Sequence, residues 1–213
     1  MTDDHALKDR VLRALLPAVP FDGWSRRSLA AAGERAELSA AELSSLFPRG
    51  ARDAISWFSQ WADRETEKAL AKKKLGSLKL RERIALGVTT RLAVLEPHRE
   101  AVRRMLTALT LPLNVPLGAR LLYGTVDMLW HAAGDRSTDF SFYTKRGLLA
   151  GIYATTTLVW LDDRSAGHAT TKAFLERRIA DVMRIPKLRA RVEGAFGAVT
   201  GPLKAMARFR SGG

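Results

Sequence analysis

Apolar positions recur along most of the chain at intervals of three and four residues, the period of a helix that buries one face. Leu7, Val11, Leu12, Leu15 and Leu16 form the first such stripe, and Pro17 ends it. Phe21-Asp22-Gly23 predicts a turn, followed by a short helix from about Ser25 with Leu29 and Ala32 inward and Gly33 near its end. Ser39 predicts the next helix start, because Glu42 stands three residues on and completes a capping box; Pro48 stops that helix after Phe47. A longer helix from about Ala51 carries Ile55, Phe58 and Ala62 before turning basic at Lys72-Lys73-Lys74 and breaking at residues 75–78.

Helical spacing resumes over about 80–95, breaks at Glu96-Pro97, and returns over 98–109 with Val102, Met105, Leu106 and Leu109 on one face. Residues 111–116 hold Pro112 and Pro116 and predict a connection. Further helices are predicted over about 117–133, 142–161 and 169–184, and a last helical pattern over 186–210 is interrupted at Gly201-Pro202. In the second of these, Leu148, Ile152, one of Thr155 and Thr156, and Val159 are expected inward, with Tyr153 and Trp160 to one side. In the third, Leu175, Ile179, Val182 and Met183 share a face. No run alternates with the period of a strand, and no segment repeats. The predicted fold class is all-α.

Composition narrows the picture. The 213 residues, 46% of them hydrophobic, suffice for a sizeable core, and Ala, Leu, Arg and Glu outweigh the β-branched types that favour strands. The absence of cysteine excludes disulfides, thiolate metal ligands and a thiol nucleophile. The uncharged run from Gly147 to Leu161 is fifteen residues long, short of the roughly 18–20 a membrane span needs, so it predicts a buried helix. Its Gly147 and Gly151 are spaced for close helix packing. The acidic start, Met1-Thr2-Asp3-Asp4, resembles neither a secretory signal nor a transit peptide, which predicts a bacterial cytoplasmic protein or a mature form.

The net charge of +13 is unevenly placed: residues 1–50 carry seven basic and seven acidic side chains, whereas 184–213 carry seven basic against one acidic. Any anionic partner is therefore expected at the carboxyl end. His5, His98, His131 and His168 show no Glu-x-x-His spacing, and neither a phosphate-cradling glycine loop nor a Gly-x-Ser-x-Gly elbow is found. Asp162 and Asp163 are adjacent at a helix end, where they point apart and are expected to terminate the helix. These absences predict no catalytic residue, metal or cofactor, and a protein that is not an enzyme.

The first third, with Ser28-Leu29-Ala30-Ala31-Ala32-Gly33 and then Leu46-Phe47-Pro48, resembles the helix-turn-helix domain of tetracycline-repressor (TetR) family regulators over roughly residues 5–65. A recognition helix must bring Arg, Lys, Asn or Gln to base edges, with cations for phosphates. The candidate helix from Ser39 to Phe47 has no basic residue, so the motif is read as degenerate and no nucleic acid is expected. The alternative is a TetR-like regulator sensing a hydrophobic ligand; sequence-specific DNA binding would favour it.

A denser pattern follows. Asp127-x-x-Trp130-x-x-Ala133-Gly134-Asp135-x-Ser137-Thr138-Asp139, then Tyr143-Thr144-Lys145-Arg146, Tyr153, and Phe174-Leu175-x-x-Arg178 place helix caps, large aromatics and paired cations at idiosyncratic spacing. This pattern closely resembles the coenzyme Q (ubiquinone) biosynthesis protein nine family and covers about a quarter of the chain. The resemblance implies a TetR-like fold, a homodimer, no catalysis, an apolar pocket for an isoprenoid or other lipid, and assistance to the di-iron hydroxylase that acts on demethoxyubiquinone. Carried over by position, it implies a partner surface at Asp139, Phe142, Tyr143, Lys145 and Arg146. Phe142 stands where some relatives carry a larger aromatic. Leu121, Val126, Trp130, Ile152, Tyr153, Thr156 and Trp160 are candidates to face lipid, each also readable as ordinary core.

At the carboxyl end, Val192, Phe196, Val199, Leu203 and Met206 recur at helical spacing among Lys187, Arg189, Arg191, Lys204, Arg208 and Arg210, with Phe209 beside them. A basic amphipathic helix of this kind can lie in an anionic membrane surface, so Val192, Phe196, Val199, Leu203, Lys204, Met206, Arg208 and Phe209 are candidate membrane contacts. The expected organisation is a helix-turn-helix unit over 1–75, a lipid- and partner-binding unit over 76–184, and an amphipathic helix or tail over 185–213. The expected role is a non-catalytic accessory protein on the inner face of a bacterial inner membrane.

Overall fold

The computed structural model describes residues 2–134 and 141–182, and for 2–3 and 141–145 the backbone alone. Among these residues all regular structure is helical. Helix α1 (Thr2–Leu15) buries Val11, Leu12 and Leu15 against α3 (Arg26–Arg35) and α5 (Ala51–Ala71). Residues Val19–Asp22 form a one-turn helix, α2, where a simple turn was expected; Pro20 sits in its first turn, where the fixed φ of proline suits a helix start and its missing N–H is not needed. The turn proper falls at Gly23, whose φ of 66° is costly for other residues.

Two capping boxes set the next helices. The Ser25 hydroxyl accepts from the Ser28 N–H, and the Ser39 hydroxyl accepts from the Glu42 N–H while the Glu42 carboxylate takes the Ser39 N–H at 2.8 Å. They start α3 and α4 (Ala40–Leu46), the helix-turn-helix pair. A Cβ on Gly33 would lie 2.6 Å from Leu43 Cδ2, so glycine is what lets these helices approach. Asp9 of α1 then accepts hydrogen bonds from Trp57 Nε1 and Arg64 of α5, both at 2.8 Å.

The long helix α5 packs on α6 (Leu80–Leu95) and α8 (Val115–Ala132). A 3-10 turn at Glu96–His98 separates α6 from α7 (Arg99–Leu109), one residue later than expected for the start of α7. Helix α8 begins inside the expected connection, because Pro116 lies in its first turn. Helix α9 (Ser141–Asp162) packs on α8, and α10, the last helix among the described residues, spans residues 169–182. Trp24 Nε1 donates to the Ala101 carbonyl at 3.0 Å, and among the described residues one buried apolar cluster runs from Val11 in α1 to Ile179 in α10.

The buried face of α9 is turned from the one expected. Leu149, Ile152, Tyr153, Thr156, Thr157 and Trp160 point inward, Leu148 and Val159 are half-buried, and Thr155 is exposed. Tyr153 and Trp160 are thus central rather than lateral, because each carries a polar tip that bonds to a neighbouring helix. In α10, Leu175 and Ile179 are buried and Val182 is half-buried as the spacing predicted. Met183 and the amphipathic pattern beyond it lie outside the described residues.

Candidate functional site

A cavity of about 330 Å³ opens between α6, α7, α8 and α9, with Ser59 of α5 at its edge. Most of its wall is aliphatic: Leu95, Val102, Met105, Leu106, Leu109, Leu121, Leu122 and Leu158. Its volume lies at the low end of the range for small-molecule sites. Leu158 is 56% exposed, and the corner after Leu109 and Thr110 leaves Leu111, Leu113 and Val115 in solvent. A larger groove of about 650 Å³, between α4, α5 and α8, shares Ser59 and Leu121 with the cavity. Lys8, Arg49, Asp53 and Arg120 line it, and an apolar chain laid there would strip water from those charges. The smaller cavity is therefore the candidate apolar site.

Four polar side chains in its wall, Ser59, Arg91, Thr125 and Tyr153, converge on one network. Arg91, only 3% exposed, donates from Nε to Asp63 Oδ1 at 2.8 Å and from one terminal nitrogen to the Tyr153 hydroxyl. Its other terminal nitrogen reaches the Ser59 hydroxyl at 3.4 Å, and Thr125 Oγ1 donates to Asp63 at 3.0 Å. Burial works against the charge of Arg91, but Tyr153 and Asp63 outweigh it and the guanidinium holds its proton more firmly than usual. The buried cation is neutralised by Asp63 and joins α5, α6, α8 and α9 at the cavity.

Two further polar clusters set the ends of α9. Near its start, Arg146 is buried and grips Asp127 of α8 from Nε at 2.8 Å and from a terminal nitrogen at 2.7 Å. At its end, Arg99 and Arg103 donate to the carbonyls of Asp163 and Leu161, each at 2.8 Å, supplying cations to the negative end of the helix. Trp160 Nε1 donates to Glu96 at 2.9 Å. Partial burial raises the Glu96 carboxyl, but bonds from Arg99 and Trp160 outweigh it and hold the group below its ordinary range. Asp162 pairs with Arg103, whereas Asp163 turns the other way and accepts from the backbone and hydroxyl of both Ser165 and Thr171. Those bonds hold Asp163 well below the usual carboxylate range and cap α10.

Of the seven residues expected to face lipid, Leu121 and Tyr153 stand in the cavity wall, while Val126, Trp130, Ile152, Thr156 and Trp160 are packed in the core. The Thr156 hydroxyl is buried with no hydrogen-bond partner among the described residues, and Thr157 returns its proton to the Tyr153 carbonyl. Of the partner set, Asp139 lies outside the described residues, Phe142, Tyr143 and Lys145 sit in the first turns of α9, and Arg146 faces inward. The membrane set, Val192 to Phe209, also lies outside them. Sequence reasoning passed over Arg91 and Asp63. Their signal was a charged residue set on an otherwise apolar stripe: Arg91 beside Val88 and Leu92, Asp63 beside Ala62. Among the described residues no cluster of three His, Asp or Glu side chains is placed to hold a metal, and no single helix is long and apolar enough to cross a membrane.

The family model described as COQ9 matches residues 115–186, which hold α8, α9, α10 and the Asp127–Arg146 pair. The mitochondrial ubiquinone biosynthesis proteins COQ9 of Bos taurus and Homo sapiens are each 37% identical over 186 residues, 84% of this chain. The chain belongs to the COQ9 family. It spans 58% of the length of those two relatives. The COQ9 protein of Drosophila melanogaster is 28% identical over 193 residues, covering 89% of this chain and 59% of its own. In architecture the COQ9 family chain is TetR-like. The crystal structure of a TetR transcriptional regulator from Nitrosomonas europaea superposes with a TM-score of 0.65 and 21% identity, covering 82% of this chain and 97% of that one. That likeness concerns the fold; the family match covers α8 and α9, two of the four helices around the cavity, and their pairing through Asp127 and Arg146.

Proposed function

We propose that this protein is a non-catalytic, lipid-binding accessory factor of ubiquinone biosynthesis. The observation that carries the reading is the aliphatic cavity between α6 and α9, in a chain whose COQ9 relatives are named for that pathway. An isoprenoid or similar lipid enters past Leu158, with the exposed Leu111, Leu113 and Val115 beside the opening's α7 edge. The basic segment 185–213 docks on an anionic membrane surface, through Val192, Phe196, Val199, Leu203, Lys204, Met206, Arg208 and Phe209, and holds the cavity near the bilayer. The protein acts as a homodimer at the inner membrane of a bacterial cell. It presents the isoprenoid substrate to, or extracts it for, the demethoxyubiquinone di-iron hydroxylase.

That enzyme docks around Asp139, Phe142, Tyr143 and Lys145, and Arg146, buried and locked to Asp127, ties the first turns of α9 to α8. Helix α4 argues against the regulator reading: at the recognition-helix position it carries Glu42 and no basic residue. Mass spectrometry of lipids released from the purified protein, paired with a DNA-shift assay at physiological salt, tests the proposal. Bound isoprenoid without DNA affinity is the expected result. Sequence-specific DNA binding by a lipid-free protein would overturn it.

A further inference from the structure

We propose that the groove between α4, α5 and α8 is a second binding site, for a water-soluble organic phosphate carrying two negative charges. The inference goes beyond the lipid reading and does not depend on it, because Lys8, Arg49 and Arg120 line the groove and not the apolar cavity.

The groove, of about 650 Å³, gathers cations from three parts of the chain: Lys8 from α1, Arg49 from the turn before α5, and Arg120 from α8. Its two acids are already committed. Asp53 accepts from the Arg49 backbone N–H at 2.7 Å and from Arg49 Nε at 2.8 Å. Asp63 accepts from Arg91 at 2.8 Å and from Thr125 at 3.0 Å. Lys8 and Arg120 form no ion pair or hydrogen bond among the described residues. Lys8 instead lies over the rings of Trp57 and Phe47, its Nζ 5.2 Å and 5.9 Å from their centroids. That contact holds the ammonium at the groove without giving it a counter-ion. Ser56 and Gln60, one helical turn apart on α5, add a hydroxyl and an amide to the same wall.

Two cations thus stand at one recess without an anion. A dianionic phosphate supplies both missing charges in one group, and its oxygens accept from ammonium, guanidinium, hydroxyl and amide alike. Inorganic phosphate alone would leave most of the groove to water, whereas a recess of about 650 Å³ has the size of a small-molecule site. The phosphate is therefore carried on a compact body, for which Leu46, Pro48 and Leu121 offer an apolar rest. A long acyl or isoprenoid chain does not suit this wall, since it would strip water from the charges. Duplex DNA is a poor fit in shape: the cations line a recess, and α4 beside it brings no basic residue.

The test titrates the full chain by calorimetry with adenosine monophosphate and phenyl phosphate, each against its dephosphorylated form and against inorganic phosphate. At least one ester should bind about 10-fold or more tightly than both of its controls, and more weakly as salt is raised. Lys8→Gln and Arg120→Gln should each weaken that ester about 3- to 10-fold, the worth of one solvent-screened polar contact, and together should remove its binding. Arg120 is exposed on α8, so Arg120→Gln should keep the parent's thermal midpoint. Leu106→Trp, which fills the apolar cavity from α7, should leave ester binding unchanged whatever it does to lipid. No binding of either ester, equal binding of ester and dephosphorylated form, or binding untouched by both cation substitutions overturns the site. Phosphate-dependent binding seen only with phosphatidic-acid vesicles overturns a soluble ligand and assigns the cations to a lipid head group. Duplex DNA bound through Lys8 and Arg120, with neither ester bound, overturns the small-molecule reading.

Discussion

Arg91 is a charge enclosed by four helices, and the residues that make this tolerable come from distant parts of the chain. Asp63 supplies the counter-ion, Tyr153 and Ser59 take the remaining directions, and Thr125 donates to the same carboxylate at 3.0 Å. Such a pair adds little net stability over apolar packing, but breaking it is costly because the surviving charge stays buried. Asp63→Ala should therefore destabilise the fold by about 3 kcal/mol, read as a lower denaturation midpoint with an unchanged denaturant slope. A cost near zero would show that water reaches Arg91. Trp130 and Trp160 make the complementary point: both are large and both were candidate ligand contacts, yet they lie outside the cavity wall while small Leu122 and Ala154 form part of it. Residue type named the material of the site without locating it.

Helix existence followed from spacing, caps and prolines, because those signals are local. Ser39 with Glu42, and Pro48 after Phe47, fix α4 within a residue of its observed limits. The rotation of α9 did not follow. Its hydrophobic stripe is broad, and the inward side is chosen by polar anchors on other helices: Asp127 for Arg146, Arg91 for Tyr153 and Glu96 for Trp160. Helix α10 has a similar dependence on one side chain, Asp163. Its native carboxyl is held far below its unfolded value, so the native state stays ionised while the unfolded chain takes up a proton below about pH 4. The stability it contributes is complete above that pH and is lost progressively as acid is added. Asp163→Asn should be less stable at neutral pH and should lose stability less steeply between about pH 4 and pH 2 than the parent does. Parallel slopes in denaturation series at several pH values would show that Asp163 is not the anchor.

At the scale of the whole molecule, a TetR-like frame carries a helix-turn-helix whose second helix lacks cations, and the densest basic excess, seven cations against one acid, falls instead beyond residue 183. The membrane attachment proposed above therefore falls to the carboxyl end. A chain ending at Arg184 should co-sediment less with anionic vesicles than the full chain, and raising the salt should weaken the full chain's binding. Equal co-sedimentation of the two would remove this segment from the proposal.

The sequence by itself determined an all-helical chain, the positions of most helix ends, the helix-turn-helix resemblance and membership of the COQ9 family, because caps, period and motif spacing are properties of neighbouring residues. It did not determine the cavity. The wall is built where α6, α7, α8 and α9 diverge, and its polar end joins Ser59 and Asp63 to Arg91, Thr125 and Tyr153. Residues nearly a hundred positions apart meet there only because a buried charge must find its counter-ion, and helix packing decides which one lies within reach.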